Sequence, residues 1–109
     1  MIYRIEYRQQ ATYDLDKIAA YLEQENPGVN IEDQFMAELT ATVRGVAEMP
    51  RKGSPLELYS KRLKSLRRWP INRFHNYLLI YLIHKDDIEI VRVFHSSQNY
   101  LRILTSEGF

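Results

Sequence analysis

A hairpin pattern between Arg73 and His95 is the feature that most constrains the fold of this 109-residue chain. Two segments rich in β-branched and aromatic residues, 73–83 and 88–95, flank the polar break His84-Lys85-Asp86-Asp87. Such residues favour pleated strands and an Asp-rich break favours a turn, so the pattern predicts two antiparallel strands. Both alternating positions of 73–83 are apolar, which is typical of a strand buried on both faces. The hairpin is therefore expected at the centre of a sheet.

The length of the connecting loop predicts which side chains share a face of this hairpin. If the loop holds an even number of residues, directly opposed residues have opposite parity in the numbering. Arg92 then shares a face with four residues of the first strand, Arg73, His75, Tyr77 and Tyr81. The other face carries Leu78, Ile80, Leu82, Val91 and Val93, and no charge before His95. Because a sheet interior seldom holds an unpartnered arginine, the face with Arg92 is predicted to be the working surface.

The composition indicates one cytoplasmic domain over residues 1–109. Hydrophobic residues make up 45% and charged residues 27% of the chain, which are globular proportions. There is no cysteine, so disulfides and thiolate metal sites are excluded. The first residues alternate charged and apolar side chains, unlike a signal peptide. The longest apolar run, 77–83, is too short to span a bilayer, so no membrane partner is expected.

Charge is divided unevenly along the chain. Residues 1–50 carry a net charge of −5 and residues 51–109 carry +6, which gives +1 overall. Within 51–73, eight basic residues accompany a single acid, Glu57. The eight are Arg51, Lys52, Lys61, Arg62, Lys64, Arg67, Arg68 and Arg73. Such a cluster suits a polyanion or an acidic protein partner, although a solvated basic loop would show the same pattern.

The first half of the chain predicts one strand and two helices. Residues 2–8 alternate apolar and charged side chains, which is typical of a half-buried edge strand. Apolar stripes of helical period begin at Ala11 and at Ile31, and the second stripe closes at Met49-Pro50. Asn26-Pro27 is expected to end the first helix and to cap the second, with proline at its first position. Helices joined so closely form an antiparallel hairpin, whose apolar side the sheet must cover.

The second half predicts a loop, three strands and a short terminal element. Residues 51–65 lose all periodicity and contain Gly and Pro, which indicates a long loop. Residues 66–71 predict a strand that Pro70 restricts to an edge or a bulge. Residues 100–104 predict a final turn or short helix. The fold class is therefore α+β, in the order β-α-α-β-β-β, with the helical hairpin packed on one face of a small, mainly antiparallel sheet.

Several short motifs occur in an order that resembles a known family. They are Ala11-x-x-Asp14-Leu15-x-x-Ile18-x-x-Tyr21-Leu22, Asn26-Pro27, Met49-Pro50-x-x-Gly53, Leu66-Arg67, Tyr77-x-x-x-Tyr81 and Ile90-x-Arg92-Val93-x-His95. This ordered set, spanning residues 2–99, resembles the ParE branch of the RelE/ParE toxin superfamily. The resemblance implies the small toxin fold and a growth-arresting toxin of a type II toxin-antitoxin, plasmid stabilisation system. It further implies a cognate antitoxin that neutralises the toxin, and DNA gyrase as the target.

The chain departs from the family pattern directly after the Arg-Val-x-His motif. The family usually continues with a small residue and then Ala-Arg-Asp, whereas this chain has Ser96-Ser97-Gln98-Asn99, without the arginine. If that arginine contributes to toxicity, the protein keeps its fold and its antitoxin binding but is weakened or inactive as a toxin. This toxin-fold binding module is one alternative function that the sequence leaves open.

The other alternative is ribosome-dependent mRNA cleavage, as in RelE-like members of the superfamily. Such cleavage needs a base for the ribose hydroxyl, cations for the phosphate and an acid for the leaving oxygen. Similarity to RelE-like enzymes assigns Arg73 to the phosphate; Arg92 would be a second cation, and His75 or His95 the base. However, parity places His95 on the face opposite Arg73, and the Tyr-rich and basic tail of RelE-like enzymes is missing. A structural role also remains open for Arg92, as the partner of an acid such as Asp14.

Five residues are predicted to bind a protein partner, either the antitoxin or gyrase. They are Arg67, Arg73, Tyr77, Tyr81 and Arg92. The two tyrosines would pack in a core if buried and would form a seat for an antitoxin helix or for stacked bases if exposed. No paired histidine ligands, Gly-rich phosphate loop or Ser-His-Asp arrangement is found, so no metal or cofactor is expected. A homodimer and a toxin-antitoxin hetero-oligomer both remain open.

Overall fold

A computed structural model describes residues 3–109, and Ile2 of the predicted first strand lies outside the described residues. The chain follows the order β1 Arg4–Tyr7, α1 Gln9–Glu25, α2 Ile31–Glu48, β2 Ser54–Pro55, β3 Leu66–Ile71, β4 Phe74–Ile83, β5 Asp87–His95 and α3 Tyr100–Ser106. The strands form one sheet in the order β1-β5-β4-β3-β2. β1 runs parallel to β5, and the other pairs are antiparallel. The predicted α+β fold is confirmed, with the short strand β2 inserted before β3.

The two long helices cover one face of the sheet, called here the first face. Their buried residues follow the predicted stripes: Ala11, Leu15, Ile18 and Leu22 on α1, and Phe35, Leu39, Val43 and Val46 on α2. Phe35 packs edge-on against Phe74 and Tyr77, with ring centroids 5.2 and 5.5 Å away. Burying such a side chain contributes about 1.5–3 kcal/mol, so this layer stabilises the helical hairpin on the sheet.

The connection between the helices differs from the prediction. Asn26 ends α1, and its side-chain Nδ2 donates to the carbonyl oxygen of Leu22 at 3.0 Å. α2 begins only at Ile31, so Asn26-Pro27 does not cap it. The reason lies between them, because Gly28 and Asn30 adopt left-handed backbone conformations with φ of 82° and 52°. These residues reverse the chain before the second helix can begin.

The central hairpin has the predicted strands, but its register shifts halfway. Near the turn, Ile83 lies opposite Ile88, so opposed residues have opposite parity as predicted. A bulge between Ile80 and Tyr81 then changes the pairing, and Ile80 lies opposite Arg92. Beyond a bulge every side chain changes its partner by one residue. Arg92 therefore does not share a face with the tyrosines, and the predicted grouping is wrong.

The opposite side of the sheet, called here the second face, is also covered. Leu56 and Leu63 from the connection between β2 and β3, together with Leu104 of α3, bury Ile80 and Phe94. This connection is not an open loop, since it contains short 3-10 turns at Leu56–Leu58 and Lys61–Leu63, and a third such turn, Pro50–Lys52, lies between α2 and β2. The expectation of an open working face on the hairpin is therefore wrong. In residues 3–109, no helix is both long and apolar enough to cross a bilayer.

Candidate functional site

Arg92 lies in a buried ionic cluster and not on the surface. Its Nε and Nη2 donate to the two carboxylate oxygens of Asp14 on α1 at 2.7 and 2.9 Å. Its Nη1 donates to Glu107, after α3, at 2.7 Å. Hydrogen bonding to Asp14 is the main reason that the pKa of Arg92 is raised. The structural alternative from the sequence, pairing with Asp14, is confirmed, and the outward orientation of Arg92 is wrong.

Arg67 and Tyr81 face each other across β3 and β4 and hold the segment that follows α2. The Tyr81 hydroxyl donates to the Pro50 carbonyl at 2.6 Å and accepts the N–H of Gly53 at 2.9 Å. The guanidinium of Arg67 donates to the carbonyl oxygens of Arg51 at 3.2 Å and Gly53 at 2.7 Å. Burial raises the pKa of Tyr81, and the N–H of Gly53 and the charge of Arg67 partly oppose that rise. Tyr81 is fully buried, so it is not a surface seat for a partner.

Tyr77 and His95 lie opposite each other in the sheet and line a cleft beside α1. The cleft holds about 320 Å³ and is lined by Lys17, Ile18, Tyr21, Tyr77, His95, Ser97 and Gln98. The two rings meet edge to face, with centroids 5.1 Å apart. Burial, followed by the nearby phenol of Tyr21, raises the pKa of Tyr77. His95 Nδ1 accepts the N–H of Ser97 at 3.1 Å, so a neutral ring carries its proton on Nε2.

Arg73 and His75 are exposed near the β3–β4 turn. Arg73 occupies the left-handed region, with φ of 64°, and its Nε lies 3.2 Å from a carboxylate oxygen of Glu38 on α2. His75 lines a groove on the second face, whereas His95 lines the cleft on the first face. The four candidate catalytic residues are therefore not brought together, because the sheet separates the two histidines and Asp14 and Glu107 bind Arg92.

Sequence reasoning missed the groove that contains His75, called here the cationic groove. It holds about 490 Å³ and is lined by Ser54, Arg68, Trp69, Pro70, His75, Leu78 and Ser96. Arg68 shares the second face with Ile80, its register partner. Its guanidinium donates to the hydroxyls of Tyr59 and Tyr100 and lies 4.6 Å from the centre of the Tyr59 ring. The basic composition of 51–73 was the only signal that pointed to this surface.

Most of the positive charge of residues 51–73 is uncompensated. Among residues 3–109, seven of the eight basic residues of 51–73 have no carboxylate within 4.0 Å, and only Arg73 has one. Arg67 and Arg68 donate instead to neutral carbonyls and phenols. Hydrogen bonds to neutral groups fix these side chains without cancelling their charge. Arg68, the arginine that lines the cationic groove, therefore keeps its charge, which suits an acidic partner.

The sequence matches a toxin family, and the fold matches a solved structure. Residues 5–100 match the family described as the ParE toxin of the type II toxin-antitoxin system parDE. This chain belongs to that family. A Sinorhizobium fredii (strain NBRC 101917 / NGR234) protein named "Putative toxin Y4kP" is 31% identical over 101 residues, 93% of this chain and 96% of that protein. A solved structure titled "Chromosomal ParDE TA system from P. aeruginosa" has the same fold, with a TM-score of 0.68 at 14% identity, covering 86% of this chain and 96% of that one.

The departure of this ParE-family toxin from the usual pattern has a structural role. The Gln98 side chain accepts the N–H of His95 at 2.8 Å, which closes the turn after β5. The Asn99 side chain accepts the N–H of Arg102 at 3.3 Å and caps α3, as the usual aspartate would. The fold therefore tolerates the change, and the missing arginine belongs at Gln98, on the rim of the cleft with His95.

Proposed function

We propose that this ParE-family toxin arrests bacterial growth in the cytoplasm by binding DNA gyrase, and that a cognate antitoxin neutralises it. The observation that carries the proposal is the family match over residues 5–100, nearly the whole chain. The likeness to "Putative toxin Y4kP" over 93% of the chain supports the toxin assignment. Gyrase is the target that the ParE branch implies.

Binding, rather than catalysis, is the mode of action that the geometry supports. RNA cleavage needs a base and a phosphate-binding cation within reach of the same substrate atoms. Asp14 and Glu107 hold Arg92, Glu38 lies beside Arg73, and His95 faces the first-face cleft. These candidates do not converge on one reacting group. A protein that inhibits by contact needs only a surface complementary to its target.

We assign the gyrase-binding surface to the cationic groove and its rim at the β3–β4 turn. Arg68 and His75 line the groove. Arg73 lies shortly before His75 in the β3–β4 turn, and its side chain is 83% exposed. Clustered cations accelerate association with an acidic protein and determine its orientation. Of the predicted partner-binding residues, Arg73 belongs to this surface. The others, Arg67, Tyr77, Tyr81 and Arg92, act through the fold that supports it.

A supercoiling assay tests the proposal directly. Purified gyrase, relaxed plasmid and ATP are titrated with the purified toxin, and inhibition of supercoiling is the expected result. The double variant Arg73→Ala/His75→Ala should inhibit less, whereas Lys85→Ala, which removes an exposed cation from the β4–β5 turn, should inhibit like the native protein. Growth arrest in cells with full gyrase activity at toxin excess would contradict gyrase as the target. Absence of both growth arrest and inhibition would instead indicate a toxin weakened at Gln98.

A second candidate function is mRNA cleavage on the ribosome, because His75 and Arg68 line one groove and pair a potential base with a cation. Primer extension on mRNA from expressing cells distinguishes this function from gyrase inhibition. Cleavage sites that appear with the native toxin and disappear with His75→Gln would favour the nuclease. An unchanged transcript pattern during growth arrest would exclude it.

A further inference from the structure

The edge of the sheet at β1 is open to another strand. β1 is the outermost strand and pairs only with β5. The N–H groups of Arg4 and Arg8 donate to the carbonyls of Asp86 and Ile90, at 3.0 and 2.9 Å. In a parallel ladder alternate residues point to opposite sides, so the backbone groups of Ile5 and Tyr7 point away from β5. In the described part of the chain, these two residues have no backbone partner on that side.

Apolar and charged side chains alternate along this edge. Ile5 and Tyr7 are 38% and 41% exposed, which leaves apolar surface open beside the outward backbone groups. Two of the charged side chains pair with acids of β5, Arg4 with Asp87 at 2.9 Å and Arg8 with Glu89 at 2.6 Å. Glu6, between them, is exposed. An exposed edge of this kind is a template for strand addition.

The Tyr3 end of the edge opens into a cleft with positive charge. The cleft holds about 460 Å³ and is lined by Tyr3, Met49, Pro50, Arg51, Lys52 and Ile83. Its apolar wall includes Met49, which is 65% exposed. Across residues 3–109 neither Arg51 nor Lys52 has a carboxylate within 4.0 Å. The cleft therefore offers an apolar seat and two cations to a chain that continues beyond the edge of β1.

These features define the chemistry of the occupant. A strand beside β1 satisfies the outward backbone groups, and apolar side chains at alternate positions cover Ile5 and Tyr7. Its end beside Tyr3 should carry carboxylates that face Arg51 and Lys52. A second copy of this chain fits less well, because its own β1 would bring Arg4 and Arg8 and only one acid, Glu6.

We infer that an extended segment of the antitoxin, apolar at alternate positions and acidic at one end, adds to β1 as a sixth strand and seats its acidic end beside Arg51 and Lys52. The inference rests on the proposed toxin function, because it assigns the position of the neutralising partner. It assigns antitoxin binding to the β1 edge, whereas the cationic groove is lined by residues of β2, β3 and β4 and the turn after β5.

Residue-resolved amide exchange of the toxin, alone and in complex with the protein encoded by the adjacent reading frame, tests the inference. The amides of Ile5 and Tyr7 should exchange quickly in the free toxin and become protected in the complex. The amides of Glu6 and Arg8 point into the sheet and should be protected in both states. If Ile5 and Tyr7 still exchange quickly in a complex that has formed, the inference is wrong while the toxin-antitoxin function stands. Protection that appears in the free toxin as its concentration rises would assign the edge to a second copy.

Charge reversal tests the acidic end. The side chain of Arg51 is exposed and only its backbone carbonyl holds Arg67, so Arg51→Glu leaves the internal contacts intact. It should weaken antitoxin binding in calorimetry by about tenfold, which corresponds to 1.4 kcal/mol. Lys61→Glu makes the same charge change in an exposed residue of the β2–β3 connection and is the matched control. If both variants bind the antitoxin equally well, the antitoxin has no acidic end beside Arg51. A toxin that arrests growth but binds no product of the adjacent frame would contradict the proposed function itself.

Discussion

The guanidinium of Arg92 on β5 and the carboxylate of Asp14 on α1 form a two-point ion pair across the edge of the sheet, at 2.7 and 2.9 Å. Asp14 also accepts the N–H of Val93 at 3.0 Å, on the side of β5 that β1 no longer reaches. Both charged residues are only 8% exposed. One carboxylate therefore continues the role of an edge strand and ties the first helix to the sheet.

We predict that Arg92→Ala destabilises the fold by about 3–5 kcal/mol, since it leaves Asp14 buried without its counterion. Urea unfolding followed by circular dichroism measures this change in the free energy of unfolding. Arg102→Ala, at an exposed arginine of α3, serves as the control and should stay within about 0.5 kcal/mol of the native protein. Native stability in Arg92→Ala would show that the pair has no structural role.

The contact between Tyr81 and Gly53 gives a second prediction. Tyr81→Phe leaves the Pro50 carbonyl and the Gly53 N–H without their partner and should cost about 1–3 kcal/mol of unfolding free energy. Gly53→Ala should destabilise as well, since a Cβ there would collide with the Tyr81 hydroxyl and lie 2.9 Å from the Arg68 carbonyl oxygen. Thermal unfolding measures both effects, and Tyr13→Phe at an exposed tyrosine is the control. A Tyr81→Phe variant as stable as the control would show that the hydrogen bonds of the Tyr81 hydroxyl do not stabilise the fold.

The helices and strands were predictable because their apolar residues recur with the period of a helix or of a strand. The strand at 66–71 and its irregularity at Pro70 are as predicted, since a residue that cannot donate a ladder hydrogen bond limits where a strand can lie. The stripes of α1 and α2 likewise match their buried faces. These local signals determined the fold class.

The faces of the central hairpin were not predictable, because one bulge reverses every assignment beyond it. The bulge between Ile80 and Tyr81 has no Gly or Pro to mark it. Arg92 pairs with Asp14 across a separation of 78 residues, and the contact of Tyr81 with Gly53 spans 28. The sequence left the first contact open as an alternative and gave no sign of the second. The candidate site is therefore the cationic groove and not the predicted face of the hairpin.

Acid should weaken the contact of β1 with β5 through Glu89. Hydrogen bonding to Arg8, at 2.6 Å, is the main cause that lowers the pKa of Glu89 below its ordinary value of 4.5. A carboxyl with a lowered folded-state pKa stabilises the fold above its unfolded pKa, and this contribution is lost as the pH falls through the folded value. Unfolding free energies between about pH 6 and pH 3 should therefore decline less in Glu89→Gln than in the native protein. Glu25→Gln, at an exposed residue of α1, should decline like the native protein. Parallel pH curves for native protein and Glu89→Gln would contradict the prediction.

The exposed cations near the β3–β4 turn should affect toxicity without affecting stability. Arg73→Ala removes only an exposed pair with Glu38, and such pairs contribute about 0–1 kcal/mol. Together with His75→Ala it should reduce growth arrest in an inducible expression assay while the melting temperature stays nearly unchanged. The matched control is Lys64→Ala, which removes a cation from the β2–β3 connection. Undiminished growth arrest by a stable Arg73→Ala/His75→Ala variant would remove this surface from the proposed mechanism.

The turn after His95 offers a gain-of-function prediction. Gln98 occupies the position where the family usually has arginine, on the rim of the cleft with Lys17 and Tyr21. Gln98→Arg restores the cation, and we expect it to strengthen growth arrest if that cation contributes to target binding. The substitution also removes the acceptor of the His95 N–H, so Gln98→Met, which loses that acceptor without adding charge, separates the two effects. Colony counts after induction should fall for Gln98→Arg relative to Gln98→Met. Equal counts for both variants would show that the departure at this turn does not limit toxicity.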